Sequence, residues 1–182
     1  MNSFEHLMCH LLSSEGYWVT QAFKVDLSKE EKKLIGRASS PRWEIDVLAY
    51  NPRQKELLIL ECKSFIDSVG VQAAQILSHD ESGKSRYKLF VDKVLRETVF
   101  KVIKRQLVKL GMITDDTRLV LGLAAGRMKS KQDEDVIIKH FELMGWRFYS
   151  PDWIKTQLKK RSESGYFDSV ADVVAKILLR EK

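Results

Sequence analysis

Trp43-Glu44-Ile45-Asp46-Val47-Leu48-Ala49-Tyr50 is followed by Asn51-Pro52-Arg53-Gln54-Lys55 and then by Glu56-Leu57-Leu58-Ile59-Leu60-Glu61-Cys62-Lys63. Two runs rich in aliphatic and β-branched residues, joined by a short segment carrying Asn-Pro, predict a β-hairpin. Strand side chains alternate with a period of two. This sets Asp46 on a face with Glu44 and Leu48, and Glu61 on a face with Ile59 and Lys63. The second run is apolar on both faces until it meets Glu61, the pattern of a central strand covered on both sides. Two carboxylates and a lysine therefore stand at the ends of strands otherwise built for burial.

An unpaired buried charge is costly, so the cluster needs a reason. Two remain open from the spacing. Lys63 pairs with Asp46 or Glu61 in a structural salt bridge, or the carboxylates on adjacent strands hold a hard divalent cation while Lys63 steers a nucleophile or stabilises negative charge. Cys62 alternates to the other face and reads as core packing.

The chain has 182 residues, 44% of them hydrophobic, enough for one ordinary domain with a sizeable core. No apolar run approaches a membrane span, and Met1-Asn2-Ser3-Phe4-Glu5-His6 lacks the basic start and apolar stretch of a signal peptide, so a cytoplasmic protein without a membrane partner is expected. Cys9 and Cys62 have no zinc or disulfide-framework spacing. The formal charge is +6, with nearly all the excess between Ser64 and Ser130, a footprint compatible with a phosphate-bearing partner.

Ser3 to Glu15 reads as a helix, capped by Ser3 and ended by Gly16. At about 100° per residue, Phe4, Leu7, Met8, Leu11 and Leu12 form one apolar arc into which Glu5 projects, while His6, His10 and Ser13 fall on the wet face. A carboxylate on the packing side of an amphipathic helix is unusual. A solvated first-turn glutamate, favourable to the helix dipole, is the plainer alternative. The His6/His10 spacing suits a metal, but the segment is not His-Glu-x-x-His and the pair points outward.

Asp46, a hairpin and then Glu61-x-Lys63 resembles the site of the PD-(D/E)xK nucleases, the restriction-endonuclease-like superfamily. Ile45 stands where that family places its proline. Phe4-Glu5, Leu11-Leu12 and Gly16-Tyr17 are similar to the first helix of its Mrr-like and Holliday-junction-resolvase-like branches, whose glutamate reaches the metal site. The resemblance spans roughly Phe4 to Ala124.

The remaining segments suit that architecture. Tyr17 to Val25 alternates as a strand, and Asp26 to Arg42 is a charged insert with a short helix over Leu27 to Ile35. Lys32, Lys33, Arg37 and Arg42 precede the Asp46 strand. They read either as a solvated loop or as phosphate contacts. After Lys63, a loop leads to a short helix carrying Gln75, with Ser64 and Gln75 as polar groups near the cluster. Gly83-Lys84-Ser85 is no phosphate loop, because Ser78 replaces the first glycine that motif needs.

Tyr87 to Leu110 has apolar residues at helical spacing and a basic outer face including Lys101, Lys104 and Arg105. Thr117 to Ala124 reads as a buried strand, Asp133 to Met144 as a helix, Trp146 to Tyr149 as a strand, and Pro151 to Lys182 as two helices. The expected fold is α/β: a restriction-endonuclease-like αβββαβ core over about residues 3–124, with a mixed central sheet flanked by helices. A C-terminal strand and helices over 131–182 complete a single domain.

The resemblance implies a metal-dependent DNA endonuclease. In it Asp46, Glu61, Glu5 and the backbone carbonyl of Cys62 hold Mg²⁺, with Mn²⁺ as a substitute, and Lys63 orients water or steadies developing charge. Arg42, Gln75, Lys101, Lys104 and Arg105 are the candidate DNA contacts. A homodimer is compatible, since such enzymes commonly pair to cut two strands. Two rivals remain: a degenerate nuclease fold acting as a DNA-binding or assembly module, and a salt-bridge cluster in an unrelated α/β protein.

Overall fold

The computed structural model describes residues 2–36, 43–77, 86–165 and 169–180. Asn2, and not the expected Ser3, caps α1 (Ser3–Ser14): its side chain accepts from the Glu5 N–H while the Glu5 carboxylate accepts from Asn2. This reciprocal pair satisfies two donors that a helix start leaves open. β1 (Trp18–Val25), α2 (Lys29–Leu34), β2 (Trp43–Asn51) and β3 (Glu56–Lys63) follow. Asn51 closes the hairpin turn by accepting from the backbone of Arg53 and Gln54.

The chain then forms α3 (Ala73–Leu77), α4 (Lys88–Val91), α5 (Lys93–Lys109), β4 (Arg118–Ala125), α6 (Lys131–Met144), β5 (Arg147–Tyr149), α7 (Pro151–Glu163) and α8 (Val170–Leu179). The single helix expected from Tyr87 to Leu110 is broken at Asp92. That residue is extended, and its side chain caps a new helix by accepting from the Leu95 N–H. An Asp side chain that bonds a nearby backbone N–H favours a cap over a helix interior.

The five strands make one sheet in the order β1-β2-β3-β4-β5. β1, β2 and β3 are antiparallel, whereas β3-β4 and β4-β5 are parallel. The fold is thus α/β with a mixed open sheet, as expected. Leu48, Leu57, Ile59 and Leu121 pack with Tyr87, Phe90, Val99 and Phe141 on one face; Val47, Leu58, Leu60 and Cys62 pack with Met8, Leu11, Leu12 and Ile154 on the other. β3 is the central strand with both faces covered, which explains its unbroken apolar run. At its start Glu56 is fully buried and bound by Arg118 of β4 and Arg147 of β5, which ties the three strands at the end remote from Lys63.

One expectation fails in β2. Ile45 and Leu48 lie in the same core layer, while Val47 and Ala49 lie in the other. Strict alternation is therefore lost at Asp46, so Glu44, Asp46 and Leu48 do not share a regular face. The neighbouring strand slips in the same row, where Ala22 adopts φ 51°. A non-glycine residue there is sparsely populated, and such departures accompany local bends in strands.

Candidate active site

The β2-β3 ladder runs from Asn51↔Glu56 to Val47↔Leu60 and stops. Beyond it the strands part, and the Asp46 side chain enters the gap: its Oδ2 accepts from the Cys62 N–H at 2.7 Å. The carboxylate thus replaces the backbone partner that β3 loses, which is why a charged side chain tolerates this position. Glu61 and Lys63 project toward the layer of Tyr87, and Lys63 Nζ donates to Glu61 Oε1 at 2.6 Å. Both are half-buried, with about a fifth of each side chain exposed (22% and 21%).

Burial raises the Glu61 pKa above its ordinary value; Lys63 opposes that shift, the Asp46 charge adds to it, and Lys88 again opposes it. Lys88 Nζ also lies 5.9 Å from the centre of the Trp43 ring. The site is thus two carboxylates flanked by two cations at the open end of the central strand. Cys62 turns to the opposite layer as expected, and burial, with Asp46, Glu5 and Glu61 nearby, pushes its thiol pKa far up. Cys9 is likewise raised, to about 11. Neither thiol is a poised nucleophile.

The Tyr87 hydroxyl is a polar group of the site that sequence reasoning passed over. Tyr87 is fully buried, its ring centre 6.0 Å from Lys63 Nζ, and among the described residues its hydroxyl has no hydrogen-bond partner. Burial and the Glu61 charge raise its pKa against the opposing effect of Arg86. Gln75 Oε1 on α3 is buried and equally without a partner among those residues. Orphaned polar atoms cost free energy in a closed core and mark places where water or a ligand completes the bonding. Flanked by Arg86 and Lys88, Tyr87 carried no signal of burial in the sequence.

The loop from Lys63 to Gln75 is fixed by β4 and its continuation. Gly126 N–H donates to Lys63 O, Val71 N–H to Arg127 O, and Lys129 N–H to Val71 O, at 2.9, 2.9 and 3.0 Å. A Cβ on Gly126 would stand 2.4 Å from Ser64 O, and one on Gly70 (φ 95°) 2.6 Å from the Met128 carbonyl carbon. Only glycine permits this approach.

Against family models, curated proteins and solved structures, the chain has no significant match.

The other expected residues are distributed as follows. Glu5 belongs to the capping box, on a helix that packs against the layer opposite Glu61, yet its charge acts on both Cys9 and Cys62. Among the described residues no three His, Cys, Asp or Glu side chains stand close enough to share an ion. His10, expected on the wet face, is half-buried, with Nε2 3.0 Å from Asp172 and 3.1 Å from Ser169 Oγ, partners from a helix 159 positions away. Arg42 and Arg37 lie outside the described residues.

Lys101, Lys104 and Arg105 do share the outer face of α5. With Lys109 they border a groove of about 420 Å³, and Arg105 is held by Glu31 of α2 at 2.9 Å. Among the described residues no helix is long and apolar enough to cross a membrane.

Proposed function

We propose that this chain is a Mg²⁺-dependent DNA endonuclease of the PD-(D/E)xK type. The observation that carries the reading is the convergence of Asp46 with Glu61 and Lys63 where the β2-β3 ladder ends. The order α1, antiparallel β1-β2-β3, helices and then parallel β4 agrees with the αβββαβ core of that superfamily.

The donor set suits a hard ion that keeps most of its waters. Mg²⁺ typically takes one or two carboxylates plus substrate phosphate oxygens, and needs no all-protein cage. Asp46, through the oxygen not given to Cys62, and Glu61 would hold it; Glu5 and the Cys62 carbonyl complete the set in this reading. When bound, the ion would acidify water and neutralise charge on the scissile phosphate.

The chain's own groups then have defined tasks. Glu61 must be ionised to hold the ion, and must share its Lys63 contact. Lys63, freed in part, orients the attacking water or steadies charge developing on the phosphorus oxygens. Tyr87 and Gln75 offer a hydroxyl and a carbonyl oxygen that hold water against the site. Lys101 and Lys104 supply phosphate contacts to the duplex.

A second reading, a degenerate nuclease fold that binds DNA without cutting it, is favoured by the Lys63-Glu61 pair and by Glu5 being engaged in its cap. Incubation with supercoiled plasmid and with single-stranded DNA, in Mg²⁺, Mn²⁺ or EDTA, separates the two. Cutting that requires metal and disappears in Asp46→Asn and Lys63→Ala supports the nuclease. DNA binding without cutting on any substrate, together with no calorimetric metal binding, supports the module. Glu5→Gln keeps a side chain able to close the capping box, so loss of cutting at unchanged stability would assign Glu5 to the ion.

A further inference from the structure

α8 is amphipathic in the inverted sense. Asp172 (1% exposed) and Ala175 face the protein, while Val170 (82%), Val173, Val174, Ile177 (75%) and Leu178 (73%) face outward. Their spacing of three and four residues makes one continuous apolar stripe. Polar chemistry fixes the helix from inside: Asp172 receives a two-armed bond from Arg161 of α7 and contacts Ser169 and His10. Arg161 first, then Ser169 and His10, hold its carboxyl well below the usual range. Lys176 donates to Gly165 O. A helix latched this firmly is a rigid platform for its outer stripe.

We propose that this stripe is a twofold interface between two copies of the chain. Its shape is self-complementary. Beside the N-terminal half of α8 lies a groove of about 600 Å³ against α1, bordered by His6, Leu7, His10, Val170 and Val174. Two turns further along, roughly 10 Å at 1.5 Å per residue, Ile177 and Leu178 protrude. Antiparallel packing of two α8 helices seats each copy's protruding pair in the other's groove, and the symmetry makes both contacts at once.

The exposed stripe with Leu7 amounts to surface on the order of 600 Å² per copy, close to the roughly 800 Å² per partner of a standard interface. It also stands at the top of the roughly 300–600 Å² that the largest apolar patch of a monomer commonly covers. A lipid surface is the weaker fit. Interfacial helices turn Lys and Arg toward headgroups, whereas here Asp172 is buried and Lys176 is bonded back to the chain.

Sedimentation equilibrium of the full chain tests this without reference to any activity. The expected mass is twice 21.1 kDa at micromolar concentration. Ile177→Asp with Leu178→Asp, and separately Val170→Asp, should each return the monomer mass with unchanged circular dichroism. Leu143→Asp, an equally exposed position (87%) on α6, should remain dimeric. A second arm needs no destabilised interface: Val174 falls near the proposed axis, and the native thiols are buried. Val174→Cys with a short bismaleimide should yield covalent dimer, and Leu143→Cys should not.

A wild-type monomer up to about 100 µM, well above the micromolar range of weak but specific association, overturns the proposal. So does a dimer that survives the α8 substitutions. Monomeric protein that binds anionic vesicles through α8 overturns it in favour of a lipid surface.

Discussion

Asp46 has two separable duties: its charge serves the proposed ion, and one oxygen bonds the Cys62 N–H. Asp46→Ala leaves that donor without a partner in a half-buried site and should cost about 1–3 kcal/mol in denaturant unfolding. Asp46→Asn keeps an acceptor and should cost under about 1 kcal/mol while cutting is abolished. Equal losses of stability in both variants would reject this division. Glu61 makes a second prediction, through pH. A carboxyl whose folded pKa lies above its unfolded value binds its proton more tightly when folded. Its ionisation therefore works against folding as pH rises through the folded pKa. The Glu61 shift has that sign, with burial as its main cause. Glu61→Gln should gain stability relative to the wild type as pH climbs above 4.5, the ordinary value for this group. Thermal melts across this range check it; a difference that stays flat sinks the idea. Calorimetric Mg²⁺ binding should release protons and weaken on acidification over the same window.

Elements place these residues, and Gly126 is where the placement is most exposed to change. A Cβ there meets Ser64 O at 2.4 Å, backbone against backbone, just after Lys63. Gly126→Ala should destabilise the chain by about 1–3 kcal/mol, the range for overpacking, and reduce activity by shifting Lys63. Gly165 after α7 has nothing near an added Cβ and no left-handed φ, and serves as the control for glycine loss alone. Unaltered activity and stability in Gly126→Ala would contradict the account. The strands bearing the site were legible because β3 is apolar on both faces and ends abruptly in Glu61-Cys62-Lys63. The alternation slip at Ala22 and Asp46 was not, since it arises from two strands bending together and neither carries a glycine or proline in that row. Nor was the cap on Asn2 distinguished from one on Ser3, because both residue types cap helices. His10 read as solvated because its partners, Ser169 and Asp172, come from the far end of the chain, and no local period encodes a contact over that distance.

At the scale of the whole molecule, charge and topology make the remaining predictions. The outer face of α5 carries Lys101, Lys104 and Lys109 around a shallow groove. Duplex binding in EDTA, which removes cutting from the measurement, should weaken in Lys101→Glu/Lys104→Glu. Its salt slope should fall by about 0.9 for each phosphate that is no longer neutralised. Unchanged affinity and slope would remove this face from the binding surface. The parallel pairing of β3 with β4 has a consequence in time. β2 and β3 meet across a tight turn, but Glu56 meets Arg118 over 62 positions of chain. Closing so long a loop is entropically slow, and topologies with distant pairings fold slowly. The hairpin is expected to form first, with Glu61 and Lys63 still hydrated, and β4 to arrive afterwards. Pulse-labelled hydrogen exchange during refolding should show the β2-β3 amides protected before those shared with β4. Glu61 is then an ordinary surface acid for most of the folding reaction, and acquires its unusual proton affinity only in the final docking of the sheet.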